Sequence, residues 1–345
     1  MTAEYQQGAF AAEISNDPEL ASTILSLSYE DAQDPNKSMS ISVAPDLGSN
    51  LFRFRVGEHE VIYCERELLK QMQFTGDFVL WPLPNRIRDR RYSFAGQEYS
   101  LKDIPDRPEG NYVLVHGLVF DRQWQFEQPV VKPDSASVTT YVDINQESDH
   151  DYQSYPFDSR LTLTYRLTST GVQITYAVQN KGNQILPFGF ALHPYFSLLS
   201  GKQDTYVSLP AGTVMEADED LLPTGRLLDV TGTMYGMFDL HQPRAISTLK
   251  LDHVYMDRPA GAPAVIDYRQ QGLQVHISAS DDFTHAVIYT AKPEDDFFCL
   301  EHQTCSTDAI NLHNQGDERR KMAHLLEVKP GDTYSGTLNY QIKFQ

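Results

Sequence analysis

Leu161-Thr162-Leu163-Thr164-Tyr165-Arg166-Leu167 is followed, after Ser169-Thr170-Gly171, by Val172-Gln173-Ile174-Thr175-Tyr176-Ala177-Val178-Gln179. In both runs apolar and polar residues alternate, which is the period of a strand with one buried face. Leu161, Leu163, Tyr165 and Leu167 belong to one such face, and Val172, Ile174, Tyr176 and Val178 to the other. Two runs of this kind around a glycine-containing turn predict a β-hairpin. The C-terminus repeats the pattern after Pro330-Gly331-Asp332. There Tyr334, Leu338, Tyr340, Ile342 and Phe344 share one face, and Ser335, Thr337, Asn339, Gln341 and Lys343 the other.

Further strands are expected over Met39 to Val43, Asn50 to Val56, Tyr92 to Leu101, Ser137 to Gln146, Ala264 to Arg269, Leu273 to Ser278 and Ala286 to Thr290. The fifth and sixth of these flank Gln270-Gln271-Gly272, another hairpin signal. Only Glu65 to Phe74 reads as helical, with Leu68, Leu69 and Met72 on one side. No linker composition, low-complexity tract or period of 20–50 residues interrupts the chain. The expectation is all-β: a single large antiparallel β-sandwich domain over residues 1–345, with little helix. Residues 1–38 carry no recognisable motif.

The 345 residues hold 28 Lys plus Arg against 47 Asp plus Glu, a formal charge of −19. Such a field repels phosphate backbones and anionic lipid, so no nucleic-acid or membrane partner is expected. The acids are dispersed rather than blocked, which is the pattern of a solvated surface. Cys64, Cys299 and Cys305 are odd in number and lack metal-ligand spacing, so neither a disulfide framework nor a metal site is expected. No secretory signal or run of 18 apolar residues is visible, and with unpaired thiols the expected compartment is the cytoplasm.

Glycine-rich nucleotide loops, zinc-protease and dithiol motifs and the serine-hydrolase elbow are all missing. What remains is polar groups set in apolar or stiff surroundings. His116 interrupts Val113-Leu114-Val115-His116-Gly117-Leu118-Val119-Phe120, and His193 interrupts Phe188-Gly189-Phe190-Ala191-Leu192-His193-Pro194-Tyr195-Phe196. A lone histidine in such a run is more often a satisfied core residue, but each of these stands beside a residue that constrains the backbone. Glu301 ends the apolar run Phe297-Phe298-Cys299-Leu300. Burial there would raise its pKa toward the range of a general base or acid at neutral pH, whereas a strand end facing solvent would leave it ordinary. Asp252 is a weaker interruption of Leu249-Lys250-Leu251-Asp252-His253-Val254-Tyr255. Arg86 follows the stiff Trp81-Pro82-Leu83-Pro84-Asn85, while Arg88, Arg90 and Arg91 read as a solvated basic hairpin.

Asn85-Arg86-Ile87 with Phe94-Ala95-Gly96-Gln97-Glu98-Tyr99 resembles the Asn-Arg-Ile segment of the aldose 1-epimerases, the galactose mutarotase family. His116-Gly117-Leu118, His193-Pro194-Tyr195-Phe196, Leu251-Asp252-His253-Val254-Tyr255 and Cys299-Leu300-Glu301-His302-Gln303-Thr304 with Asp308-Ala309-Ile310-Asn311 resemble its further segments. They occur in family order over residues 40–340. Ser197 and His302 depart from the family pattern, where Asn and Pro are usual.

The resemblance implies a galactose mutarotase-type sandwich that interconverts α and β anomers of a free aldose such as galactose or glucose. Glu301 would be the general base on the C1 hydroxyl, and His193 the general acid on the ring oxygen. Arg86, His116, Asp252 and Asn85 would bind the sugar, and no metal or cofactor is required. The expected partner is the small sugar alone, on a monomer or homodimer. Three alternatives stay open: a hexose-6-phosphate 1-epimerase using the arginine cluster, a sandwich glycoside hydrolase or lyase using Asp252 and Glu301, and a non-catalytic sugar-binding protein. Trp81, Trp124 and Tyr195 are further candidates for a flat face against the sugar.

Overall fold

The structure is a computed structural model that describes residues 3–107, 112–147 and 152–345. Strand makes up 48% and helix 11%, so the class is all-β. The alternating hairpin becomes Ser159–Thr168 paired with Gly171–Asn180, in the register Leu161 opposite Val178 and Leu167 opposite Val172. Its predicted inner face is buried throughout, each position 2% exposed or less. A fully buried side chain of this size contributes about 1.5–3 kcal/mol, so a slip of one residue would expose the whole row.

This hairpin lies inside a ten-stranded antiparallel sheet. On one side it pairs with Ser135–Ile144; on the other, Gly171–Asn180 pairs with the C-terminal strand Thr333–Phe344. Facing it is a seven-stranded sheet in the order Pro223–Asp229, Thr213–Ala217, Asp252–Met256, His285–Thr290, Phe297–Gln303, Ala191–Ser197 and Asp77–Leu80. The two meet in one continuous apolar cluster that runs from Phe10 to Ile342. Phe196 of the smaller sheet touches Tyr340 of the larger at 5.8 Å between ring centroids. Six sequential strands between Ala3 and Glu60 form a further antiparallel sheet, and residues 1–38, which carry no motif, supply its first three.

Two expectations are corrected. Tyr92 to Leu101 is a hairpin rather than one strand: Arg91–Phe94 pairs with Gln97–Ser100. The turn falls at Ala95 and Gly96, both at positive φ, where a glycine releases the chain from the extended region. The helix over Glu65 to Phe74 is confined to Arg66–Lys70, because Met72 turns to φ 52°. Nor is it the only helix: among the described residues Gly201–Asp204, Ala309–Leu312 and Asp317–Ala323 are helical too. Each is too short to establish a helical period in sequence.

Candidate active site

Register places the central pair. In the strands Ala191–Ser197 and Phe297–Gln303, Ala191 stands opposite Gln303 and Tyr195 opposite Cys299, so His193 falls opposite Glu301. Directly opposed residues of an antiparallel pair project to the same face. His193 Nε2 accordingly sits 3.2 Å from Glu301 Oε1. Gln303, two residues along and thus on that face, donates from Nε2 to Glu301 Oε2 at 2.9 Å. The His193 ring stacks on Phe78 at 4.7 Å and on Tyr195 at 5.2 Å, which fixes its plane.

The rim comes from two loops tied together. Leu114–Val115 pairs with Arg86–Ile87, and the His116 backbone N–H donates to the Asn85 carbonyl at 2.7 Å. Asn85 and His116 both hold positive φ, 58° and 64°, a strained setting for a non-glycine residue that requires outside support. Support is visible. Arg107 donates to the carbonyls of Val115 and Gly117 and pairs with Asp121. Gly117 lies at φ 72°, and any Cβ there would come within 2.4 Å of the Trp81 carbonyl oxygen. That close approach is why glycine follows His116. On the other side the Asp308 backbone N–H donates to the Arg86 carbonyl at 2.9 Å, and the Asp308 carboxylate accepts from the Arg88 N–H and from Asn311.

Electrostatics follow from burial. Removal from water pushes the Glu301 carboxyl up to about 8; nearby Asp252 adds to the rise, while the Gln303 hydrogen bond and Arg86 oppose it. The same desolvation pushes His193 down to about 3 and His116 well below the usual imidazole range. Asp252 is raised by burial and partly restored by Arg86. Both shifts favour the uncharged forms, a protonated carboxyl facing a neutral imidazole 3.2 Å away.

All six sequence-predicted residues, Asn85, Arg86, His116, His193, Asp252 and Glu301, line one pit of about 50 Å³ together with Phe74, Tyr195, Val287 and Tyr289. It opens past Arg86, Asp252 and Tyr289 into a cleft of about 400 Å³ whose rim includes Tyr112, Glu219 and Asp220. Of the three aromatic candidates only Tyr195 reaches the pit. Trp81 is wholly buried against Tyr155, and Trp124 is buried with its indole N–H on the Val119 carbonyl. The arginine cluster is not a free basic hairpin. Arg88 pairs with Asp218 and Asp308, Arg90 with Asp106, and Arg91 with Asp89. Gln303, Tyr289, Phe74, Arg107 and Asp308 were outside the sequence-derived set. The spacing from Glu301 to Gln303 does carry a signal for the first, since period 2 puts both on one face.

This arrangement meets its relatives as follows. The sequence model of the aldose 1-epimerase family matches residues 33–341. The uncharacterized protein YihR of Escherichia coli (strain K12) is 28% identical over 239 residues, 68% of this chain and 71% of YihR. Galactose mutarotase of Mus musculus is 29% identical over 195 residues, 55% of this chain and 52% of that protein. This chain thus matches about half the length of the mouse enzyme. The crystal structure of a galactose mutarotase-like protein from Clostridium acetobutylicum superposes with a TM-score of 0.80 at 18% identity, covering 100% of this chain and 99% of that one. Galactose 1-epimerase from Lactobacillus acidophilus gives 0.73 at 16% identity, with 100% and 99% covered. At such identities the structures speak for the fold, and the match across residues 33–341 speaks for the lineage: the chain belongs to the aldose 1-epimerase family.

Proposed function

We propose that the pit interconverts the α and β anomers of a free aldose, with glucose and galactose as the first candidates, by opening and reclosing the pyranose ring at C1. The observation that carries this reading is one imidazole and one carboxyl 3.2 Å apart, buried on the floor of a pocket ringed by hydrogen-bonding groups. Ring opening needs two proton transfers at adjacent oxygens, one off O1 and one onto O5. Glu301 takes the proton from the C1 hydroxyl while the C1–O5 bond breaks. Its electron pair goes to O5, which receives a proton from His193, and C1 becomes a carbonyl. Rotation about C1–C2 presents the other carbonyl face, and the transfers run in reverse.

The proton count supports the cycle. The working form, carboxylate plus imidazolium, holds one proton, as the resting pair does; only its position differs. Arg86 favours the carboxylate side of that equilibrium, since its charge opposes the rise in the Glu301 pKa. In this reading Arg86 and His116 also hold O5 and ring hydroxyls, and Asp252 and Asn85 hold further hydroxyls. Each positioned acid or base is worth on the order of 10²–10⁴-fold.

A free sugar suits the site better than a phosphorylated one. Arg88, Arg90 and Arg91 are already engaged by carboxylates, and Glu219 and Asp220 make the rim of the outer cleft acidic. The reaction fits the cytoplasm, where the three free thiols stay reduced. Polarimetry of freshly dissolved α-D-glucose, α-D-galactose and the corresponding 6-phosphates tests the reading. Mutarotation of the free sugars should outpace buffer with the wild type and match buffer with Glu301→Ala. Equal rates for the wild type and buffer on every aldose would sink it.

A further inference from the structure

A second cavity, of about 330 Å³, lies at the far end of the strands that build the pit. Asp252 begins the strand Asp252–Met256 beside Glu301, and Met256 ends it on this cavity; His285 lines the cavity, and Tyr289 of the same strand lines the pit. Four residues of strand separate the two sites by about 13 Å. In a chain of net charge −19 this cavity gathers Arg258, Lys321 and His324 on its wall.

Arg258 is the unusual member. Its guanidinium is largely buried, yet its contacts are two long ones, Nη1 to the Phe283 carbonyl at 3.4 Å and Nη2 to the Ala262 carbonyl at 3.5 Å. Nε has no partner. Among the described residues no carboxylate pairs with it, and its charge instead bears on the buried rings of His285 and His302. Two carboxylates share the cavity. Asp257 accepts from the Thr213 hydroxyl at 2.7 Å, and Asp281 stands exposed at the edge. A half-satisfied buried guanidinium is costly, and the ligand that best matches its planar fork is an oxyanion able to accept two N–H bonds.

We propose that this cavity is a second binding site, for the phosphate group of inorganic phosphate or of a small phosphorylated metabolite, with Arg258 as the fork and Lys321 as the flanking charge. Titration calorimetry at fixed ionic strength, with chloride as the balancing anion, tests it. Wild type should bind inorganic phosphate; Arg258→Met should weaken binding by about tenfold or more and Lys321→Ala by about threefold. Arg86→Met should leave it unchanged. Glycerol 3-phosphate in a parallel arm separates the two sources: tighter binding than phosphate points to a metabolite, and equal binding points to the anion itself. No heat from the wild type, equal affinity in Arg258→Met and Lys321→Ala, or loss of binding with Arg86→Met overturns the proposal. Lys321 is an exposed helix residue, so its variant decides the matter even if Arg258→Met does not fold.

Discussion

Glu301 and Asp77 are two buried carboxyls of one sheet. Burial pushes both up to about 8. Their surroundings differ. Glu301 faces an imidazole and an open pit, so a proton leaving it has somewhere to go. Asp77 lies one residue before Phe78 and hence on the opposite face, between the sheets. One of its oxygens accepts the Tyr340 hydroxyl at 2.9 Å and the other has no partner. A perturbed pKa therefore marks burial; a partner that exchanges protons and a path to substrate mark a catalytic group.

The sharpest way to break this comparison is to replace both carboxyls by amides. Glu301→Gln should lower the catalysed mutarotation rate by about 10²–10⁴-fold, and Asp77→Asn should leave it within a few-fold. Equal losses, measured by polarimetry, would mean that burial rather than partnership sets the role. His193→Asn should also lower the rate by about 10²-fold or more with an unchanged circular dichroism spectrum. Full activity would remove His193 from the acid role.

The pH dependence tests the single proton of the pair. Between about 3 and about 8 the His193–Glu301 pair holds one proton, so kcat/KM should be flat across neutrality and fall above pH 8, where the pair is emptied. A profile rising through pH 9 would contradict the assignment.

In stability the two carboxyls behave alike, because burial raises both, and Asp77 shows the effect without a catalytic role. The folded pKa of Asp77 lies above its ordinary 3.8. Its contribution is thus fully present below about pH 4 and lost as pH rises through 8. Asp77→Asn should therefore gain thermal stability relative to wild type between pH 5 and 8, with the difference shrinking toward pH 4. The smallest effect is expected from Tyr340→Phe, which strips Asp77 of its donor. It should cost about 1–3 kcal/mol in urea unfolding and leave kcat/KM intact.

How much of this could be read from the sequence depended on how local the signal was. The hairpin from Ser159 to Asn180 was legible because each strand buries one face, and the alternation records that directly. Glu301 and His193 were legible as polar residues where burial otherwise rules. Asp77 was not, because Thr75-Gly76-Asp77 resembles an ordinary turn and only the opposing sheet brings Tyr340 to it. Arg107 escaped for a similar reason: its role is to hold the carbonyls around His116, and no side-chain pattern announces a carbonyl. Asp308 lies in a stretch that resembles a family segment, but its work, anchoring the Arg86 backbone, is done by its own main-chain N–H, which no sequence pattern marks. The helices Ala309–Leu312 and Asp317–Ala323 are single turns or little more, shorter than the window in which a period can be counted.

The register that sets His193 opposite Glu301 also has a consequence for how such a chain can vary over time. An insertion of one residue within either strand would turn one partner to the far side of the sheet and abolish the pair at a stroke. Between Ser197 and Phe297 the same restraint holds for the strands Asp252–Met256 and His285–Thr290, which carry Asp252 and Tyr289 into the pit, but not for the loops that join them. Lineages descended from this sequence should therefore keep these strands fixed in length, while the outer loop that carries Glu219 and Asp220 to the rim of the cleft varies in length and composition.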